Sequence, residues 1–249
     1  MKVSIITAVY NRAESIGRTI ESVLGQSYSN IEYIIIDGGS NDGTMDIISN
    51  YRDRLSCVLS EKDNGIYDAL NKGIGQSTGD IVGFLHSDDF FTDNHVVQGI
   101  VDGFLLDHAC DLIYGDLSFF QVANPNKITR KYSSGFFRPW MMRFALQPAH
   151  PTVYVGREFL QRVGLFNLTY KISADFDWLF RAFWQHRPIY RYLQLDMVRM
   201  QQGGASTDGI RALINHNKED LAILKSHGVL SGWLFVFAKL IFKTVQIRI

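Results

Sequence analysis

The sequence predicts an α/β fold: a mostly parallel sheet flanked by helices in its first half, with an antiparallel extension in its second. Three observations predict it. Short β-branched runs alternate with amphipathic helical stretches up to about residue 109, each run stops at a polar or Gly-rich turn, and the pattern becomes antiparallel beyond residue 110. One domain is expected over 1–228, in two halves, 1–109 and 110–228, followed by an amphipathic tail over 229–249.

VSIITAV (3–9) and IEYIII (31–36) read as strands. Between them AESIGRTIESVLGQ sets Ile16, Ile20, Val23 and Leu24 at helical spacing, which completes a β-α-β unit. DGTMDIISNY (42–51) continues as a helix, LSCVLSE (55–61) as a strand, GIYDALNKGIGQS (65–77) as a helix and DIVGFL (80–85) as a strand. FTDNHVVQGIVDGFLL (91–106) reads as the next helix. DLIYGDLSFF (111–120) and KITRKYS (127–133) then read as antiparallel strands, RPWMMRFALQ (138–147) as a short helix, and ISADFDWLFRAFWQHR (172–187) as an aromatic-rich helix.

Hydrophobic residues make up 46% and charged residues 20% of the 249, so most of the chain is expected to pack. Lys and Arg total 25, as do Asp and Glu, and this balance gives no basic field to attract nucleic acid. Any anionic ligand must therefore be held by a local site. Cys57 and Cys110 lack metal-ligand spacing and lie in apolar surroundings, as expected of free thiols in a reducing compartment, the cytoplasm. The opening MKVSIITAVYN breaks at Tyr10 and Asn11, too early for a leader's apolar region, and reads as a first core strand.

In sheets of this kind, ligands bind outside the carboxyl ends of the strands. That rule gathers TAVYNR, DGGSNDGT, SEKDNG and HSDD into one crevice, and each carries an Asp or Asn. Turn chemistry explains any one of them, but four at converging strand ends point to a polar ligand site. Asp88 and Asp89 could be a helix N-cap. A cap needs only one residue, however, and TDN at 92–94 is better placed. Two carboxylates at a strand end suit a hard divalent cation shared with a substrate phosphate. Asp175 and Asp177 begin the later helix, where interaction with the helix dipole alone would favour either.

SIITAVYNR, IIIDGGSNDGT (34–44), EKDNGIYDALNKGIGQSTGDIVGFLHSDD (61–89) and SADFDWLFR (173–181), in this order and spacing, resemble the inverting family 2 glycosyltransferases, nucleotide-sugar enzymes of the A-type fold that build bacterial polysaccharides. The resemblance covers most of residues 1–185. It implies a nucleotide-binding first half and an acceptor-side second half, with Mg²⁺ or Mn²⁺ as cofactor. It further implies that Asp37 contacts the base, that Tyr10, Asn11 and Arg12 lie beside the nucleoside, and that Asp63 completes the base pocket. Asp88 would meet the ribose, Asp89 the metal, and Asp175 would be the catalytic base. Thr7, Gly39 and Ser40, from the same loops, join the expected donor-binding set. By resemblance His150, Arg199 and Ser206 are candidates for a loop closing over the diphosphate. The chain departs from the family pattern in the turn Asp37-Gly38-Gly39-Ser40, where many members have two acids. It departs again at His86, where many have Asp. His86 is taken as a candidate metal ligand, with phosphate contact or plain packing as alternatives.

The expected partners are a nucleotide-sugar donor and a glycan or lipid-linked acceptor, with no nucleic acid. SGWLFVFAKLIFKTVQIRI (231–249) is apolar but interrupted by Lys239 and Lys243, and its uninterrupted core is short of the roughly 20 residues of a spanning helix. It reads either as an interfacial helix on the inner face of the plasma membrane or as a helix packed on the core. A sugar-phosphate nucleotidyltransferase would want a Gly-rich, basic loop after the first strand, yet no Gly occurs before Gly17. KGIGQSTG follows a helix and precedes a strand, the reverse of a dinucleotide loop. A sugar-nucleotide or membrane binding module without catalysis would fit His86 but leaves Asp175 unexplained.

Overall fold

Strand order and register set the position of everything else. The computed structural model describes residues 1–202, 209–229 and 232. Strands β1 (Val3–Val9), β2 (Ile31–Asp37), β3 (Cys57–Ser60) and β4 (Ile81–Phe84) lie parallel in the order β3-β2-β1-β4. They are joined by helices α1 (Ala13–Leu24), α2 (Thr44–Ser49) and α3 (Ile66–Gln76). Val9 pairs with Asp37 and Asp37 with Ser60, so these strands end level and their loops share one edge. All seven residues of β1 are buried, as a central strand covered on both faces requires.

The second half extends the same sheet without a break. β8 (Tyr154–Gly156) runs antiparallel to β4 and to β6 (Leu112–Gln121), and β6 pairs with β7 (Asn124–Tyr132) in a hairpin. Two strands have no counterpart in the sequence reading. β9 (Tyr190–Gln201) runs parallel to β6, and β5 (Phe90–Phe91), in the first half, pairs antiparallel with β9 and overlaps the first residue of the stretch read as a helix. The reason is visible in YRYLQLDMVRMQ: only Met197 and Val198 are buried in it, so a strand defined by pairing lacked an apolar signature. Helix α4 (Val96–Leu105) consequently starts well beyond Asp89, which removes the N-cap reading of the acid pair. The short helix read over 138–147 is a 3₁₀ helix, Pro139–Phe144. Helices α5 (Arg157–Val163), α6 (Ala174–Phe180) and α7 (Gly209–Ser226) complete the fold, with α6 running on into a π-helical turn, Arg181–His186.

Alternation along the strands divides the core. Ile5, Val9, Tyr33 and Ile35 face Ile16, Ile20 and Val23 of α1 and the apolar side of α4. Ile6, Ile34, Ile36 and Val82 face Ala69 and Leu70 of α3 and the aromatic residues of α5 and α6. Each such buried aliphatic contributes about 1.5–3 kcal/mol. The polar residues of β1 are satisfied: the Ser4 hydroxyl donates to Glu32 (2.6 Å) and the Thr7 hydroxyl lies 3.1 Å from that of Tyr33. Cys57 and Cys110 are free thiols.

Glu32 also accepts from Lys2 Nζ and from the hydroxyl and backbone N–H of Thr78, tying β1, β2 and the loop before β4. Burial opposes its charge, but these donors outweigh burial and bring its pKa from 4.5 down to about 2. The charged form is thus favoured by folding, so the stabilisation is complete above the unfolded value and disappears as pH falls through the folded one. Glu32→Gln should lower stability by about 1–3 kcal/mol at neutral pH, with the gap to wild type closing between pH 4.5 and 2 in urea titrations. A Cβ at Gly83 would lie 2.2 Å from the buried Tyr154 ring. Gly83→Ala should therefore cost about 1–3 kcal/mol, read as a lowered melting temperature.

Candidate active site

The level strand ends form the floor of a crevice. Asp37, at the tip of β2, is 0% exposed. Its carboxylate accepts from the backbone N–H groups of Gly39 and Ser40 (both 3.1 Å) and from the hydroxyls of Ser40 and Ser60. The Ser40 hydroxyl in turn accepts from the Asn11 N–H (2.8 Å), and Asn11 Oδ1 accepts from the Asn41 N–H (3.0 Å). Asn11 sits at φ +50°, a conformation Asn tolerates better than most residues. Expected at the nucleotide base, Asp37 instead has its lone pairs filled by the chain and pins the loops after β1, β2 and β3. Thr7 is a plainer correction: it is fully buried and hydrogen-bonded to Tyr33, in the core rather than at the crevice. Tyr10 is 57% exposed and free to meet a ligand. Asp63 is half-buried against Gly38, where a Cβ would come within 2.5 Å of its Oδ2, so the approach depends on that glycine.

At the end of β4, Ser87–Asp89 turn back toward β5. The carbonyl oxygen of Ser87 accepts from Ser15 (2.9 Å), and the Thr19 hydroxyl lies 2.7 Å from that of Asp89. Asp89 is 2% exposed; its Oδ1 accepts from the Gln201 N–H (3.1 Å), while Oδ2 is buried without a partner among the described residues. Burial, and then the charge of Asp88, push the Asp89 pKa well above its ordinary value, against the pull of the Gln201 N–H and Arg18. Asp88 is half-buried, 3.8 Å from Arg12 Nε. The Arg18 guanidinium lies 4.7 Å from the centroid of each of the Phe90 and Phe120 rings, which themselves meet edge to face at 5.1 Å.

His86, at the head of the same turn, faces the other way. Its Nε2 is 3.1 Å from Nε2 of His150, whose Nδ1 is 3.2 Å from Asp175 Oδ2. Burial, and next the neighbouring His150, push the His86 pKa down to about 4, so it is neutral at physiological pH. Burial opposes the charge of Asp175 too, but His150, the Phe176 N–H, His216 and Gln147 outweigh it and hold the carboxyl below its ordinary value. His150 thus bridges the two, with Nδ1 toward Asp175 and Nε2 toward His86, while Nδ1 of His86 is buried with no hydrogen-bond partner among the described residues. Among the described residues no group of three or more His, Cys, Asp or Glu side chains could hold an ion. His86, expected as a metal ligand, is joined to His150 and Asp175, and His150, expected over the diphosphate, stands beside Asp175.

Asp175 and Asp177, two apart on α6, point to different surroundings. Asp175 lies at the crevice, with Gln147 Nε2 at 3.2 Å and the Tyr67 hydroxyl at 3.1 Å. Asp177 is 2% exposed and sealed by Arg181 (2.9 Å) and His227 (3.0 Å). Arg199 belongs to β9, opposite Phe90, rather than to a loop. Ser206 and the stretch 231–249, apart from Gly232, lie outside the described residues. Among those described, no helix is long and apolar enough to cross a membrane.

Sequence reasoning missed Gln147, Tyr67, Gln201 and Glu219. Glu219 of α7 accepts from the backbone N–H groups of Lys171 (3.3 Å), Ile172 (2.9 Å) and Ser173 (2.9 Å), just before α6 begins. Only Gln147 carried a local hint, since it precedes the Pro-flanked loop of His150. The others reach the site through tertiary contacts.

A mixed sheet with an acid turn at the end of its fourth parallel strand and a separate acid beside it defines an A-type glycosyltransferase fold. The family model for glycosyl transferase family 2 matches residues 4–166, and the chain belongs to that family. It is a glycosyltransferase. A PGL/p-HBAD biosynthesis glycosyltransferase of Mycobacterium bovis is 26% identical over 211 residues, covering 83% of this chain and 79% of the relative. A glycosyltransferase of Mycobacterium tuberculosis is 31% identical over 195 residues, covering 72% and 68%. Among solved structures, Staphylococcus aureus TarS 1–349 in complex with UDP-GlcNAc is similar with a TM-score of 0.65 at 17% identity; the match covers 84% of this chain but 62% of that one. Glucosyl-3-phosphoglycerate synthase from M. tuberculosis, in complex with Mn²⁺, UDP and phosphoglyceric acid, gives 0.66 at 18% identity, covering 93% and 80%.

Because Glu219 closes three otherwise open backbone donors ahead of α6, Glu219→Ala should destabilise the protein by about 1–3 kcal/mol. Denaturant titration measures it, and a change within error would remove this contact from the account of how Asp175 is held.

Proposed function

We propose that the protein transfers a sugar from a nucleoside diphosphate donor to a hydroxyl of a glycan or lipid-linked acceptor, in one metal-assisted displacement with inversion, in surface polysaccharide biosynthesis at the cytoplasmic face of the membrane. The observation that carries this reading is a single ionised carboxylate, Asp175, standing apart from an acid turn whose Asp89 retains a buried oxygen unpartnered among the described residues. Solved structures of similar fold hold UDP-GlcNAc, GDP-Man with Mn²⁺, and UDP with Mn²⁺. A similar donor is proposed for this chain.

The residues suit a hard cation. Among the described residues Asp89 Oδ2 has no donor, and the neighbouring Asp88 is half-buried, so these two carboxylates would supply oxygen ligands and substrate oxygens would complete the shell. A Mg²⁺ or Mn²⁺ ion held there would stabilise the charge that develops on the leaving diphosphate. Tyr10, Arg12, Asp63 and Asp88 are the accessible candidates for binding the nucleoside.

Inversion needs one base on the acceptor side. The acceptor oxygen forms the new bond to the anomeric carbon, the bond to the diphosphate oxygen breaks with its electron pair, and the acceptor proton passes to Asp175. Oδ2 of Asp175 is occupied by His150 and Gln147. Near Oδ1 is the Tyr67 hydroxyl, whose one hydrogen has a closer acceptor in the Ile172 carbonyl at 2.7 Å. We assign the proton to Oδ1. A covalent intermediate would want a second carboxylate at the anomeric carbon, and Asp177, the nearest in sequence, is closed off by its ion pairs.

Asp175→Asn should lower turnover at least ~100-fold while nucleotide affinity holds, and Asp89→Ala should abolish Mn²⁺-dependent binding of UDP. Calorimetry with UDP, alongside donor turnover, reads both. Full activity in Asp175→Asn would sink the base assignment, and unchanged metal dependence in Asp89→Ala would sink the metal assignment.

A further inference from the structure

Charge is unevenly distributed in the second half. No Asp or Glu occurs between Asp116 and Glu158, a stretch that contains Lys127, Arg130, Lys131, Arg138, Arg143 and Arg157. Acid is absent again from Trp178 to Leu195, where Arg181, Arg187 and Arg191 occur. The fold packs parts of these two stretches together, the 3₁₀ helix Pro139–Phe144 against the π-helical turn Arg181–His186. Where they meet, Phe136 is 39% and Trp140 53% exposed. Beside Trp140 opens a pocket of about 430 Å³, lined also by Trp184, Arg187 and Tyr190. Arg187 ends the helix at φ +47°, uncommon for a residue with a side chain, and Pro188 follows.

Arg138 and Arg187 are exposed, and neither has a carboxylate partner among the described residues. Clustered exposed aromatic and aliphatic side chains on a soluble surface mark an interaction face. Trp and Phe beside Arg187 and beside Arg138, which donates to the Gly135 and Phe137 carbonyls and meets no described carboxylate, complement a surface that is apolar beneath and anionic at its boundary. We infer that the face formed by Phe136, Arg138, Trp140 and Arg187 rests on an anionic lipid surface, its aromatic rings at headgroup depth and its arginines on lipid phosphates. A saccharide could stack in the pocket alone, but that leaves Phe136 and Arg138 outside it unexplained. This contact is separate from the stretch 231–249 and stands without the sugar-transfer reading. It does have geometric sense for a lipid-linked acceptor, because Trp184 lies nine residues beyond Asp175 on one continuous helical segment, about 14 Å at 1.5 Å per residue.

The test is sedimentation of the full chain with vesicles of phosphatidylcholine alone and of mixed phosphatidylcholine and phosphatidylglycerol. Binding is expected to the mixed vesicles. It should fall about tenfold or more in Arg138→Gln/Arg187→Gln and severalfold in Trp140→Ala, with melting temperature and Mn²⁺-dependent UDP binding unchanged. These side chains are exposed, so the variants are expected to fold. The inference is overturned if the chain ignores mixed vesicles, if it binds neutral ones equally well, or if the variants bind as wild type does, which would place the contact elsewhere. Tryptophan quenching by methyl glycosides that is lost in Trp140→Ala, without vesicle binding, would reassign the face to a saccharide. None of these results depends on turnover, so the sugar-transfer reading survives or fails separately.

Discussion

One buried carboxylate organises the mouth of this molecule. Asp37 ends β2, and its oxygens collect the N–H groups of its own turn, the Ser40 hydroxyl and the Ser60 hydroxyl from the neighbouring strand. Through Ser40 the same network reaches Asn11 on the loop after β1. A carboxylate that is 0% exposed is costly to bury unless its lone pairs are filled, and here filling them is what locks three loops into one rim. Tyr10, Arg12 and Asp63 are presented from that rim. Their placement is a consequence of the pinned turn, whatever ligand they meet.

The second organising feature is the connection between the turn after β4 and Asp175. His86 takes a position where an acid is common in the family, and it does not behave as an acid would. Burial keeps it neutral, and it continues through His150 to Asp175. The acid turn and the isolated acid are thus joined by two imidazoles, whereas Gln147 holds Asp175 itself and Glu219 the backbone just before α6. Asp175 is constrained by α6, by the loop before β8 and by α7 together.

Much of this was legible in the chain. The parallel half announced itself because its strands are buried on both faces and read as continuous β-branched runs, and because its helices keep their apolar stripe. The acids at strand ends were readable for the same reason, since topology alone brings such ends together. Legibility failed where pairing rather than burial defines the element. β9 is largely half-buried, and β5 is two residues long. Roles also slipped where residue type suggested a ligand but neighbours had already taken its hydrogen bonds, as with Asp37 and Thr7. The bridge through His150 could not be read at all, because His86 and His150 are far apart in sequence and meet only when β8 lies beside β4.

The bond from the Gln201 backbone to Asp89 has a practical meaning for anyone recombining this family. β5 and β9 pair only through Phe90–Arg199 and Phe91–Val198, and that short ladder delivers Gln201 to the acid turn. A chimera that exchanges residues 84–91 with a relative, seeking a new nucleotide preference, would inherit a turn whose supporting backbone comes from residues 196–201. The natural unit of exchange is the pair of segments together, although more than a hundred residues separate them in the gene.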